Sequence, residues 1–135
     1  MNERPIPTPD PATAPYWEGA RAGKLRLPRC QDCGEAHFYP RAICPHCRSA
    51  NLEWIDAQGT GTVFSFTIVQ RAPSPAFQSL VPYAVAIVAL DEGPHLMSNI
   101  VDAAPETVRI GMRVSVCFMD LDDGTRLPIF APVDA

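Results

Sequence analysis

No stretch of eighteen apolar residues occurs in this chain of 135, which excludes a membrane-spanning helix. Met1-Asn2-Glu3-Arg4 leads into a proline-rich segment rather than an apolar run, so no secretory signal is visible. Reduced thiols and a cytoplasmic setting are therefore expected. Positive charge is not in excess: the net charge is −4 and the pI about 5.2, which argues against a dedicated nucleic-acid binder. Signatures of catalysis are equally scarce. There is no Ser–His–Asp spacing, no phosphate-cradling glycine loop and no Walker lysine, and His37, His46 and His95 are scattered along the chain.

Against these absences stand four cysteines in two matched pairs, Cys30-Gln-Asp-Cys33 and Cys44-Pro-His-Cys47, separated by ten residues. Two thiolates held by one tight turn bind one side of a metal ion, and a second such turn completes a tetrahedral sulfur site. Gly34 follows the first pair, where a turn needs positive φ, while Arg48 stands at the matching place after the second. The spacing predicts a zinc ribbon. Four thiolates leave no open position, so the Zn2+ is structural; the same ligands hold iron in rubredoxin-like carriers, which keeps an electron carrier as an alternative.

Charge is unevenly spread. Residues 1–48 hold seven Lys or Arg against five Asp or Glu, whereas residues 49–135 hold four against ten. Cations around the cysteines compensate a tetrathiolate of charge −2, and they also suit a ligand carrying phosphates.

Five prolines within residues 1–15 predict an extended or disordered arm. Residues 16–57 read as a short helix, Tyr16 to Ala22, followed by the ribbon, with a return strand expected at Ala36 to Arg41. The aromatic pair Tyr16-Trp17 either packs on a neighbouring surface or lines a groove. Residues 58–135 alternate and turn as β structure, opened by Gly59-Thr60-Gly61. Tyr83 to Leu90 is almost wholly apolar, as for a strand covered on both faces. Five strands, with a crossover after the third, predict a barrel of the OB type. The fold class is mainly β: an N-terminal helix and a rubredoxin-like zinc ribbon, then a five-stranded OB-fold barrel. Cys117, inside Val114 to Met119, reads as a packed thiol and not a nucleophile. Asp120, Asp122 and Asp123 read as a solvated hairpin end.

The order of these features resembles the DUF35 family of OB-fold, zinc-ribbon acyl-CoA-associated proteins. Phe38-Tyr39-Pro40-Arg41, Gly59-Thr60-Gly61, Pro82-Tyr83-Ala84-Val85, Leu90-Asp91-Glu92-Gly93 and Ile110-Gly111-Met112-Arg113-Val114 carry the resemblance over roughly residues 14–132. It implies a helper subunit without catalytic activity of its own. Such a subunit binds acyl-CoA and associates, as a hetero-oligomer, with a thiolase, condensing enzyme, or hydratase or aldolase component. Under that resemblance Arg41 and Arg71 are the phosphate-facing candidates, and Phe77 and Trp17 offer an apolar wall to an acyl chain. A single-stranded nucleic-acid module is the competing reading, since ribbons and OB barrels both bind strands.

Overall fold

The computed structural model describes residues 6–121 and 123–133. Part of the proline-rich arm, residues 1–5, lies outside them, as does Asp122. Helix α1 runs Ala14–Arg21. Before it, the Asp10 carboxylate accepts a bond from the Thr13 N–H at 2.9 Å and the Thr13 hydroxyl oxygen accepts one from the Asp10 N–H at 3.0 Å. Pro15, in the first turn, needs no intrahelical partner. At the other end Gly23 takes φ 78°, and the N–H groups of Gly23 and Lys24 close on Ala20 and Gly19 carbonyls. This 6→1, 5→2 pattern is a Schellman stop. The helix therefore lies slightly earlier than the sequence suggests, because Asp10 and Thr13 start it.

Strand β1, Leu25–Cys30, pairs antiparallel with β2, Leu52–Ala57, in register Leu25↔Ala57 through Cys30↔Leu52. Gly19 allows the helix to approach: a Cβ there would sit 2.7 Å from the Arg26 side chain. The expected return strand at Ala36 to Arg41 is absent. Ala36 makes an isolated bridge with Arg29, and the His37 N–H reaches the Pro28 carbonyl at 3.1 Å. Pro28 has no N–H to return, and Pro40 has none further on, so the ladder stops.

The remaining strands close on themselves in the order β3-β4-β5-β7-β6. They are β3 Thr60–Val69, β4 Tyr83–Leu90, β5 His95–Ile100, β6 Arg113–Asp120 and β7 Arg126–Pro132. Asp91-Glu92-Gly93 joins β4 to β5, and a short 3-10 turn at Pro105–Thr107 lies on the crossover from β5 to β6. The seam between β3 and β6 is short, Thr60↔Ser115 to Thr62↔Arg113. The architecture is the five-stranded OB barrel that the strand count anticipates.

Burial along β4 corrects one expectation. Ala84, Ala86, Val88 and Leu90 are buried, while Tyr83, Val85, Ile87 and Ala89 are only half-buried. The strand has one covered face and an apolar face turned outward. Its inner face joins Val63, Leu96, Val114 and Phe130 in a core that continues through Tyr16, Trp17, Ala20, Leu25 and Leu27. Helix, ribbon and barrel share one hydrophobic interior. Among the described residues no helix is long and apolar enough to cross a membrane.

Candidate metal centre and ligand recesses

The two cysteine turns are built alike. Gly34 N–H donates to the Cys30 carbonyl at 2.9 Å, and Arg48 N–H donates to the Cys44 carbonyl at 2.9 Å. Both residues sit in the left-handed region, Gly34 at φ 80° and Arg48 at φ 69°. Inside each turn a backbone N–H points at the first sulfur: Cys33 to Cys30 Sγ at 3.4 Å, His46 to Cys44 Sγ at 3.3 Å. Asp32 ties the two turns by accepting from Ser49 Oγ and, at 3.3 Å, from Asn51 Nδ2. The Ser49 hydroxyl holds the Asp32 carboxyl below its ordinary range.

All four sulfurs lie within 4.8 Å of one another, with Cys30 to Cys47 at 3.5 Å and Cys33 to Cys44 at 3.7 Å. A tetrahedral ion with bonds of about 2.3 Å needs sulfur separations of about 3.8 Å. None of the four is in a disulfide. The sulfurs are thus positioned to bind a metal. Their acidities point the same way: the Cys33 N–H helps pull the Cys30 thiol down to about 7. Cys47 accepts a backbone bond from Ser49 yet is pushed up to about 12, chiefly by the adjacent Cys30 sulfur. Thiolates so close cannot all ionise unless a cation neutralises them.

Several cations near the ribbon are already engaged. Lys24 and Arg26 pair with Asp56, and Arg29 pairs with Glu53. Arg41 has no ion-pair or hydrogen-bond partner among the described residues, and it lines two clefts. One runs past Asp10, Pro28 and Trp54; the other past His37, His46 and His95. Arg71 is exposed on the loop after β3.

Phe77 stands in a 3-10 turn and walls a mainly apolar recess of about 220 Å³ with Leu80, Tyr83, Ile100 and Met119. Trp17 lies in a separate groove of about 300 Å³ with Tyr39, Leu96, Met97 and Leu127. No recess is shared by any two of Arg41, Phe77 and Trp17. Cys117 is half-buried in β6, and burial pushes its thiol up, which leaves it protonated at neutral pH.

Sequence reading missed two surfaces. Phe64, the residue at the register shift in β3, is 58% exposed and Met97 on β5 is 68% exposed. With Val85 and Ile87 they place apolar side chains on the outer face, Ile87 opposite Met97, among the polar Ser65, Thr67 and Asn99. The three histidines, far apart in sequence, line one cleft; only the fold brings them there.

Comparison with known proteins gives consistent matches. Residues 17–53 match the family model described as the ChsH2 rubredoxin-like zinc ribbon domain, and residues 54–119 match that of the ChsH2 C-terminal OB-fold domain. A "DUF35 domain-containing scaffold protein" of Methanocaldococcus jannaschii is 42% identical over 101 residues, covering 71% of each chain. A "Probable enoyl-CoA hydratase alpha subunit" of Thermomonospora curvata is 37% identical over 129 residues, 96% of this chain. This chain spans only 40% of that protein's length. The solved structure "Ltp2-ChsH2(DUF35) aldolase" contains a chain with TM-score 0.84 and 36% identity, covering 94% of this chain and 98% of that one.

Proposed function

Because the chain belongs to the DUF35 family of zinc-ribbon and OB-fold proteins, we propose that it is a scaffold subunit docking on an acyl-CoA-processing enzyme of the hydratase or aldolase kind. The observation that carries this reading is the cluster of apolar side chains on the outer face of β3, β4 and β5, where Phe64 and Met97 are more than half exposed beside Val85 and Ile87. Side chains of this kind on a barrel that has already closed its core contribute little to folding, and they suit the centre of a protein interface. The names of a hydratase subunit and an aldolase complex among its relatives support the choice of partner class.

In this reading Zn2+ occupies the four-cysteine centre and fixes the ribbon. It supplies folding energy and no chemistry, since four thiolates leave no position for water. Arg41 and Arg71 meet phosphates of an acyl-CoA, and the recesses at Trp17 and Phe77 receive apolar parts of the ligand. Double charge reversal, Arg41→Glu with Arg71→Glu, tests that part. CoA-ester affinity in the assembled complex falls about tenfold or more if both cations face phosphates, and an unchanged affinity removes them from the site.

The docking proposal has its own test. Phe64→Asp and Met97→Asp leave the melting temperature of the isolated chain nearly unchanged but abolish co-purification of the native hydratase or aldolase. Retention of a stoichiometric partner by both variants would place the interface elsewhere.

A further inference from the structure

The cleft between the second cysteine turn and the β4–β5 turn holds all three histidines of the chain. It is an open recess of about 430 Å³, also lined by Arg41, Glu35, Phe38 and Gly93. His37 is 4% exposed, and neither of its ring nitrogens has a hydrogen-bond partner. One of those nitrogens carries a proton in every tautomer, so a buried donor is left without an acceptor. Proteins seldom leave such a group unmatched. Arg41, on the same wall, is likewise without a carboxylate or hydrogen-bond partner among the described residues. His95 also lines the cleft, with its ring 4.7 Å from that of Phe64.

We propose that this cleft is a binding site for a phosphate-class anion, with Arg41 supplying the fixed charge and His37, His46 and His95 supplying imidazole donors. Two observations favour an anion over a second metal ion. The four cysteines form the cluster whose donor atoms converge within 4.8 Å, and no histidine belongs to it. A guanidinium lining the same recess also repels a cation. Donors spread around a cleft instead match the several oxygens of a phosphate or diphosphate, each oxygen accepting from a different side chain. Burial holds His37 below the ordinary imidazole range, with His46 and Arg41 adding to the effect. Glu35 is the acidic side chain on the wall. That the phosphate belongs to coenzyme A rests on the acyl-CoA reading above; the anion site itself does not.

The test uses the zinc-loaded full chain and inorganic pyrophosphate, followed by amide NMR. Saturable shifts at Ala36, His37, Phe38, His46, Gly93 and His95 are expected. Arg41→Gln weakens the dissociation constant about tenfold while its zinc content and the rest of its spectrum stay unchanged. His95→Gln, at the rim, weakens binding by a smaller factor of about three and guards against a folding defect in the first variant. Absence of saturation at millimolar pyrophosphate overturns the site, as does equal affinity in Arg41→Gln. Broadening of the same amides by Ni2+, with pyrophosphate inert, overturns it in favour of a metal site. Displacement of pyrophosphate by coenzyme A supports both readings. Pyrophosphate binding that coenzyme A does not displace supports the anion site and overturns the coenzyme A assignment.

Discussion

Gly59, Gly61 and Arg48 mark three positions where one side chain decides the local geometry. Gly59 takes φ 83°, and a Cβ there would run into Val116. At Gly61 a Cβ would come within 2.6 Å of the Ala89 carbonyl oxygen and 2.8 Å of Val88 Cγ1. The Gly-Thr-Gly opening of the barrel is thus required by close approach of β3 to its two neighbours. Gly61→Ala is expected to destabilise the chain by about 1–3 kcal/mol, read from denaturant midpoints, because the contact is to backbone and cannot swing away. Arg48 is the converse case. It holds the position that Gly34 fills in the first cysteine turn, yet at φ 69° it carries a Cβ. Arg48→Gly is expected to raise stability by about 1 kcal/mol at unchanged zinc content. A loss of stability would mean that the arginine side chain makes a contact worth more than the strain. The sequence was legible here, since a doubled turn with one glycine missing announces the asymmetry.

At the scale of elements, the strands were legible and their surroundings were not. Tyr83 to Leu90 has no polar residue, and such a run looks the same whether its outer face meets another layer of chain or a partner. The missing return strand has a different cause. Alternation at Ala36 to Arg41 is real, but a ladder needs donors on both sides and Pro28 withholds one. Barrel closure depends on another element-level feature, the short β3–β6 seam. Arg113 on β6 makes two bonds of 2.9 Å to Asp91 in the β4–β5 turn and one of 3.0 Å to Thr62 on β3. The Arg113 guanidinium and the Thr60 hydroxyl hold the Asp91 carboxyl well below the usual carboxylate range. A depressed carboxylate contributes stability that is present above its unfolded pKa of about 3.9 and lost as pH falls towards the folded value. Asp91→Asn should therefore melt below wild type at neutral pH, with the gap narrowing as pH drops below about 4. A constant gap across that window would show that the pair acts through packing and not charge.

The common interior is the whole-molecule property that sequence patterns could not reveal, because periodicity marks which face is apolar but not what it meets. Leu25 and Leu27 of the ribbon, 2% and 0% exposed, belong to the same cluster as Val63 and Phe130 of the barrel. Metal binding in the ribbon is thereby expected to be coupled to the barrel. The four cysteines that would hold a metal lie on the segment from Cys30 to Cys47, whose chain is tied to β1 and β2, and those strands carry Leu25, Leu27 and Ile55 onto the shared core. Removing the ion removes folding energy on the order of 10 kcal/mol from an isolated site of this kind. Part of that loss is absorbed by collapse of the freed loop, so a fall in melting temperature of about 10 °C or more, about 3 kcal/mol, is expected on chelation. The chain reports on its two halves separately. Both tryptophans, Trp17 and Trp54, lie in α1 and β2, while the closed barrel dominates the strand signal in circular dichroism. If the shared core couples them, chelation shifts the barrel transition together with the tryptophan transition. If the tryptophan signal melts early while the barrel signal keeps its midpoint, ribbon and barrel are energetically separate despite their contact. In that case metal loss would leave the outer face of β3, β4 and β5 able to dock.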